Sequence, residues 1–390
     1  MKHTYLDHGA TTPIDKKVYD AMQPFLQEKF GNASSMHGLG FIAKDALETS
    51  RERIAKQVGV QSKEVFFTSG GTESNNWALK GIMWANADKG KHLIISNVEH
   101  KCILRSADWL EKQGYEVTKL PVNSKGEITA QQVKDALRKD TVLVSIMHAN
   151  NEIGTINDIE SIAKVCKENK TYFHSDACQS FLKVPLNLKK TDIDMLSINS
   201  HKINGPKGIG ALVIKKHVRI DALIHGGGQE DNKRGGTENI PAIVGFAKAS
   251  TLISKKDVAN MQALRDKLIK KILTHINGVS LNGPTGDKRL CNNINLSFEG
   301  IEGEAIGGLL DHDGILTSTG SACSSASLDP SYVLQAIGLS HEQANGSLRL
   351  TIGKEFTHDD VEKVVASLKK ATKKLRRISP LKRIFLKKKA

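Results

Sequence analysis

Lys202 directly follows the apolar run Met195–Ile198 in the segment Ser-Ile-Asn-Ser-His-Lys. A lysine at the end of a buried strand, partly desolvated, can lose its proton and attack a carbonyl to form a Schiff base. On that segment alone a solvated hairpin lysine is the plainer reading. Lys207, inside the next glycine turn, is a second candidate that more readily faces water. Asp176 closes another apolar run, where an unpaired carboxylate is costly to bury, so it should meet a cation such as a ring N–H⁺. Ser69-Gly70-Gly71-Thr72 stands between a strand and a helix, where free backbone N–H groups and a hydroxyl suit a phosphate. A generic glycine-rich turn is the alternative, and the P-loop pattern is absent. His100, opening a helix, could stack on a ring, relay a proton or only cap the helix. Arg349 lies in a strand pattern where a guanidinium needs a carboxylate. Cys323 sits among small residues from Ser318 to Ser327, a stretch expected to be an exposed loop with a usable thiol. A lysine Schiff base with an aspartate facing a pyridinium nitrogen is what a protein contributes to pyridoxal phosphate chemistry.

The elements that must place these residues are legible from residue 5 onward. Strands are expected at 64–68, 92–96, 142–147, 172–175, 195–198 and 211–214. Helices are expected at about 14–25, 41–58, 75–86, 100–112 and 159–168. Such alternation predicts an α/β protein whose mostly parallel sheet is covered on both faces. Each polar cluster of this part falls at a strand end, so independent loops converge on one sheet edge, where α/β proteins bind ligands. Beyond residue 255 the pattern changes to a long helix at about 258–275, strands near 293–298 and 347–352, and a last helix with Val361, Val364, Val365, Leu368 and Leu375 on one face. This predicts a large α/β domain at 15–257, a smaller α+β domain from 1–14 with 258–376, and a basic tail at 377–390.

Composition narrows the function classes. The chain has 390 residues, 39% of them hydrophobic, and a mean hydropathy of −0.31. No window approaches the roughly 18 apolar residues of a membrane span, and the N-terminus has no signal or transit character, so a cytoplasmic enzyme is expected. The five cysteines form no C-x-x-C pair, which argues against zinc and against a disulfide framework; apart from Cys323, most are expected to be small buried hydrophobes. The net charge of +14 suggests nucleic acid. Eleven lysines and arginines with no acid lie from Lys369 onward, which leaves only +3 for the other 368 residues. Any nucleic-acid contact is therefore expected only through the tail.

The sequence resembles the cysteine desulfurases of the NifS/IscS type, pyridoxal phosphate enzymes of the aspartate-aminotransferase fold (fold type I), from Tyr5 to about Leu381. The resemblance is carried by Leu-Asp-x-x-Ala-Thr-Thr-Pro (6–13), Ser-Gly-Gly-Thr-Glu (69–73), Glu-His-Lys (99–101), Asn-Asn-Glu-Ile-Gly (150–154), His-x-Asp-Ala-x-Gln (174–179), Ser-His-Lys (200–202), Arg-x-Gly-Thr (234–237) and a Ser-Gly-Ser-Ala-Cys-like stretch ending at Cys323. The run after Cys323 looks like the subgroup with an extended catalytic loop. The resemblance implies that Lys202 holds pyridoxal phosphate covalently, Asp176 pairs its ring nitrogen, His100 stacks on the ring and Gln179 bonds the ring hydroxyl. Gly71, Thr72, Asn199, Ser200 and His201 would line the phosphate, with Thr237 reaching in from the other subunit of a homodimer. Asn151 and Arg349 would hold the substrate carboxylate and neighbouring groups, and Cys323 would accept sulfur.

The implied reaction converts L-cysteine to L-alanine and leaves the sulfur on Cys323 as a persulfide. The recipients would be an iron–sulfur scaffold protein or a tRNA-thiolation enzyme. No intrinsic metal is implied, although Cys323 could ligate an iron–sulfur cluster transiently during transfer. A selenocysteine lyase or an aminotransferase of the same fold would share Lys202 and Asp176, but only sulfur transfer requires Cys323. The chain departs from the family pattern in Asn199 for serine, Gly9 for serine, Ala33 for proline and a basic ending after Leu381.

Overall fold

The computed structural model describes residues 3–319 and 330–379. The chain enters with β1 (Thr4–Tyr5), and seven further strands build one sheet: β2 (Val65–Thr68), β3 (His92–Ser96), β4 (Glu116–Leu120), β5 (Thr141–Ser145), β6 (Tyr172–Asp176), β7 (Met195–Asn199) and β8 (Gly210–Ile214). Their order is β2-β8-β7-β6-β5-β3-β4, with β8 antiparallel to both neighbours and every other pair parallel. Apart from the edge strand β4, the strands are runs buried on both faces, or nearly so, as expected of a sheet covered by helices on both sides. In β3 the two-residue period is visible: Leu93 and Ile95 enter one core, Ile94 the other.

Helices α1 (Lys16–Gln27), α2 (Gly38–Val58), α3 (Gly71–Ala85), α4 (Lys101–Lys112), α5 (Ala130–Ala136), α6 (Ile159–Glu168) and α7 (Ile240–Ala249) cover this sheet. Val18, Leu47, Ile54, Val133, Ile162 and Phe246 place α1, α2, α5, α6 and α7 on one face. Trp77, Ile82, Ile103 and Leu110 place α3 and α4 on the other. Three elements of this part of the chain were not read from the sequence. β4 is an edge strand whose Glu116 and Lys119 face water, which hides the apolar alternation. The helix α5 is only two turns long, and α7 is apolar on most sides and shows no clear stripe. Helix α3 begins at Gly71, four residues before the expected start, so the glycine loop is itself the first turn.

A second core joins Leu6 to Ile294, Leu296, Leu348, Leu350 and Leu368. It contains α8 (Lys255–His275), the helix His358–Ile378 and the antiparallel sheet of β9 (Val279–Leu281), β10 (Asn293–Phe298) and β12 (Ser347–Thr351), in the order β12-β10-β9. β11 (Ile315–Leu316) pairs in parallel with β1 as a separate two-stranded sheet, and Leu6 and Ile315 pack both strands on this second core. The next residues, Asp7 to Thr12, cross to the large sheet: Asp7 bridges to Thr351, and Thr12 donates to the carbonyl of His201. Among the described residues no helix is long and apolar enough to cross a membrane.

Candidate active site

β7 delivers Lys202 three residues past its last residue, Asn199. The ammonium donates to the carbonyl of Gly9 and, at 2.6 Å, to that of Ala10. The Gly9 carbonyl also accepts the Gln179 amide at 2.9 Å, and its N–H donates to Thr351 Oγ1 at 2.6 Å. Burial, with the positive charges of Arg349 and Lys183 nearby, pushes the Lys202 ammonium down to about 8. Lys207, the rival lysine, is exposed and away from this cavity.

Asp176 ends β6, beside Ser197 of β7 in the parallel register, and is 6% exposed. Its Oδ1 accepts the Cys178 N–H at 2.8 Å and its Oδ2 accepts the Asn75 amide at 2.7 Å. Among the described residues no lysine, arginine or histidine forms an ion pair with it. His100 does cap α4, its Nδ1 accepting the Cys102 N–H at 3.3 Å, and it lines the same cavity as Lys202. The capping reading of this histidine therefore holds. Burial holds its imidazolium below the ordinary range.

The phosphate-type loop turns at Gly70, whose φ of 150° and ψ of 180° belong to a region essentially restricted to glycine. The first N–H groups of α3 therefore open onto the cavity edge with no carbonyl of their own helix to pair. A Cβ on Gly71 would lie 2.4 Å from Cys178 Sγ and 3.5 Å from Asn199 Nδ2, so the wall is tight there. Opposite, Arg349 donates to Asp7 Oδ1 at 2.9 Å and to the Asn151 carbonyl at 3.2 Å, meeting the carboxylate its strand position demands. Glu152 is buried, bonded by the Ser331 hydroxyl, and pushed up to about 7 by burial.

Gly71, Thr72, His100, Asn151, Asp176, Gln179, Asn199, His201, Lys202 and Arg349 thus surround one cavity of about 590 Å³. Ser200 is buried behind the wall, and Thr237 is exposed away from this chain's own cavity. Cys323 lies outside the described residues. On its two sides Ser318 bonds Arg349 at 3.3 Å, and Pro330, Ser331 and Tyr332 line the cavity. Sequence reading missed Asn75, Cys102, Cys178 and Glu152. Cys166 and Cys291 are buried as expected of small hydrophobes, but Cys102 and Cys178 are half-buried in the cavity wall. Their signal was spacing, each being two residues beyond a candidate site residue.

The chain matches the aminotransferase class-V family over residues 4–364. It is 50% identical over 384 residues to the cysteine desulfurase IscS of Dictyoglomus turgidum, covering 98% of this chain and 97% of the relative. It is 49% identical to the cysteine desulfurase IscS of Methanosarcina thermophila, covering 97% and 94%. The chain belongs to the cysteine desulfurases of the aminotransferase class-V family. Among solved structures, a NifS-like protein superposes with a TM-score of 0.88 at 36% identity, over 97% of this chain and all of that one. The structure of SspA in complex with cysteine gives a TM-score of 0.81 at 38% identity, covering 90% and 98%.

As a cysteine desulfurase the protein is a pyridoxal phosphate enzyme of fold type I. The cavity fits that group. The buried Asn151 Oδ1 and Asn199 Oδ1, both on residues that line the cavity, have no hydrogen-bond partner among the described residues. Buried polar atoms are rarely left so unless a ligand or water completes them. Asp176, a carboxylate at a strand end with no ion-pair partner among the described residues, completes the set.

Proposed function

We propose that the protein takes sulfur from L-cysteine, releasing L-alanine, and that the residues of this cavity divide the work as follows. Lys202 holds the cofactor covalently. Asp176 would pair with its ring nitrogen, His100 would stack on the ring and Gln179 would bond its hydroxyl. The N–H groups of Gly71 and Thr72, with Asn199, Ser200 and His201, take the phosphate. When bound, pyridoxal phosphate supplies an electron sink for the substrate's Cα. Lys202, able to shed its proton near pH 8, removes the Cα proton and can return it elsewhere on the substrate. Arg349 and Asn151 hold the substrate carboxylate, which competes with Asp7 for the guanidinium.

Cys323 attacks the substrate sulfur as a thiolate: a sulfur–sulfur bond forms, the carbon–sulfur bond breaks, and its electron pair stays with carbon, which is protonated on the way to alanine. The observation that carries this reading is the joining of Lys202, Asp176 and Arg349 in one cavity whose rim includes the residues on both sides of the Cys323 segment. The deciding experiment is Cys323→Ser with L-cysteine, with the cofactor spectrum and alanine followed together. The variant should bind cofactor and perturb its spectrum with cysteine, yet form no alanine. Undiminished alanine would instead favour a lyase.

The persulfide would pass to an iron–sulfur scaffold protein or a tRNA-thiolation enzyme in the cytoplasm. We also infer a homodimer. Thr237 is exposed and does not reach its own cavity, and Tyr19, Leu26, Phe30, Met36 and Phe41 stay exposed along α1, the loop after it and the start of α2. Apolar exposure of that extent marks an interaction surface.

A further inference from the structure

Between Asp176 and His100 run two side chains that the reaction scheme leaves without a task. Asn75 stands one turn into α3 and Cys102 in the first turn of α4. The Asn75 Nδ2 donates to Asp176 Oδ2 at 2.7 Å and to Cys102 Sγ at 3.2 Å. Cys102 Sγ in turn lies 3.0 Å from His100 Nδ1.

The directions of these bonds follow from counting protons. His100 Nδ1 accepts the capping N–H of Cys102, so it carries no proton of its own. The thiol beside it must then donate its S–H, and burial keeps it protonated by pushing it up to about 12. The sulfur is left as an acceptor for one N–H of the Asn75 amide, while the other N–H holds Asp176. The amide cannot be turned over, because its oxygen would then face the carboxylate. Its Oδ1 makes no bond among the described residues, as expected of an amide oriented entirely by its donors.

We propose that Cys102 and Asn75 are positioning residues: one directed chain, Asp176–Asn75–Cys102–His100, pins the Asp176 carboxylate and holds His100 as the neutral tautomer with its proton on Nε2. Asp176 is then fixed at both oxygens, by the Cys178 N–H and by Asn75, and Nε2 is the only ring atom of His100 that can give up a proton. The catalytic meaning rests on reading this cavity as the cofactor site. The tautomer itself does not.

The test uses the full chain with ¹⁵N-labelled histidine, with and without pyridoxal phosphate, in wild type, Cys102→Ser and Cys102→Ala. Serine keeps the donor and the acceptor, whereas alanine has neither. In the cofactor-free protein, nitrogen NMR should find Nδ1 unprotonated and Nε2 protonated in wild type and in Cys102→Ser. In Cys102→Ala the backbone N–H still caps Nδ1 but no thiol donates to it, so the Nε2 tautomer should persist while His100 titrates at higher pH, with its other charged neighbours Asp176, Lys202 and Lys101 unchanged. With cofactor, alanine formation by Cys102→Ala should show kcat about five- to tenfold lower at unchanged KM for cysteine, roughly the effect of one lost hydrogen bond, and Cys102→Ser should recover it. A wild-type His100 titration and kcat in Cys102→Ala would overturn the proposal, as would a protonated Nδ1 in wild type or a Cys102→Ser that behaves like alanine. If wild type made no alanine, the assigned reaction would fall, and the NMR of the cofactor-free protein would still decide the tautomer.

Discussion

Lys202 shows what one buried charge does to the protein. Its pKa falls from the ordinary 10.5 to about 8, chiefly through burial. Between those values the unfolded chain binds a proton that the folded chain has released, so stability rises with pH across that window. Below pH 8 both states carry the charge and the full cost of burying it is felt. We expect the thermal midpoint of the cofactor-free protein, relative to Lys202→Met, to climb between pH 8 and 10.5, by the equivalent of about 3 kcal/mol. A flat difference would mean that the ammonium is not desolvated. Covalent capture of pyridoxal phosphate should quicken with pH up to about 8 and then level, and reductive trapping should label Lys202 and not Lys207. The lysine's own segment read more plainly as a solvated hairpin, and it became legible only once other polar clusters were seen at the strand ends of the same sheet. Asp176 was legible by itself, as a carboxylate closing an apolar run. Asn75 and Cys102 were not: a polar residue inside a helix looks like any solvated one until the neighbouring element is known.

At the scale of elements, one ion pair fixes a loop that strains against it. Arg51, on α2, meets Glu230 through two bonds of 2.6 and 2.9 Å, and both side chains are buried. Glu230 also accepts the Phe67 N–H at 2.8 Å, and Arg51 donates to the Val65 carbonyl at 2.8 Å, so the pair is riveted to β2. Glu230, Asp231 and Asn232 have φ of 46°, 56° and 60°, left-handed values that cost non-glycine residues about 1–3 kcal/mol each. The chain continues to Arg234, which pairs with Glu73 of α3 at 2.9 Å, and then to Thr237. Glu230→Gln leaves the buried Arg51 with only the half-exposed Glu48, 3.4 Å away, as counter-charge, so it should destabilise by about 3 kcal/mol in thermal or denaturant unfolding. Arg51→Met combined with Glu230→Leu should cost clearly less, since no lone charge remains. Equal losses in the two variants would remove the charge argument. The strands that carry the cofactor residues could be read from sequence because each is an unbroken apolar run. The loop around Glu230 could not, since neither its conformation nor its distant partner leaves a local pattern.

The whole molecule adds two surfaces to the cavity. The first is the basic ending, where the residues after Ser379 lie outside the described part of the chain. Apolar residues interleave with basic ones from Ile378 onward, as a docking segment for an acidic or phosphate-bearing sulfur acceptor would require. Truncation after Leu381 should leave alanine formation with a small reductant intact but weaken sulfur delivery to the acceptor, with a salt dependence that the truncated protein lacks. Equal delivery by both forms at low and moderate salt would make the tail mere solvated charge. The second surface is apolar. Phe30 is 68% exposed and Met36 91%, far beyond what isolated surface residues require, and they lie next in sequence to the exposed Leu26 and Phe41. A second copy seated there would cover them, and it is the only source of a Thr237 hydroxyl for this cavity if the threonine serves across the interface. Phe30→Asp with Met36→Asp should therefore sediment as a monomer. The same variant should hold pyridoxal phosphate more weakly, by about tenfold for one lost hydrogen bond to a charged phosphate. Thr237→Val should reproduce the weaker cofactor binding while remaining a dimer. A monomer that binds the cofactor as tightly as wild type would show that each cavity is complete within its own chain.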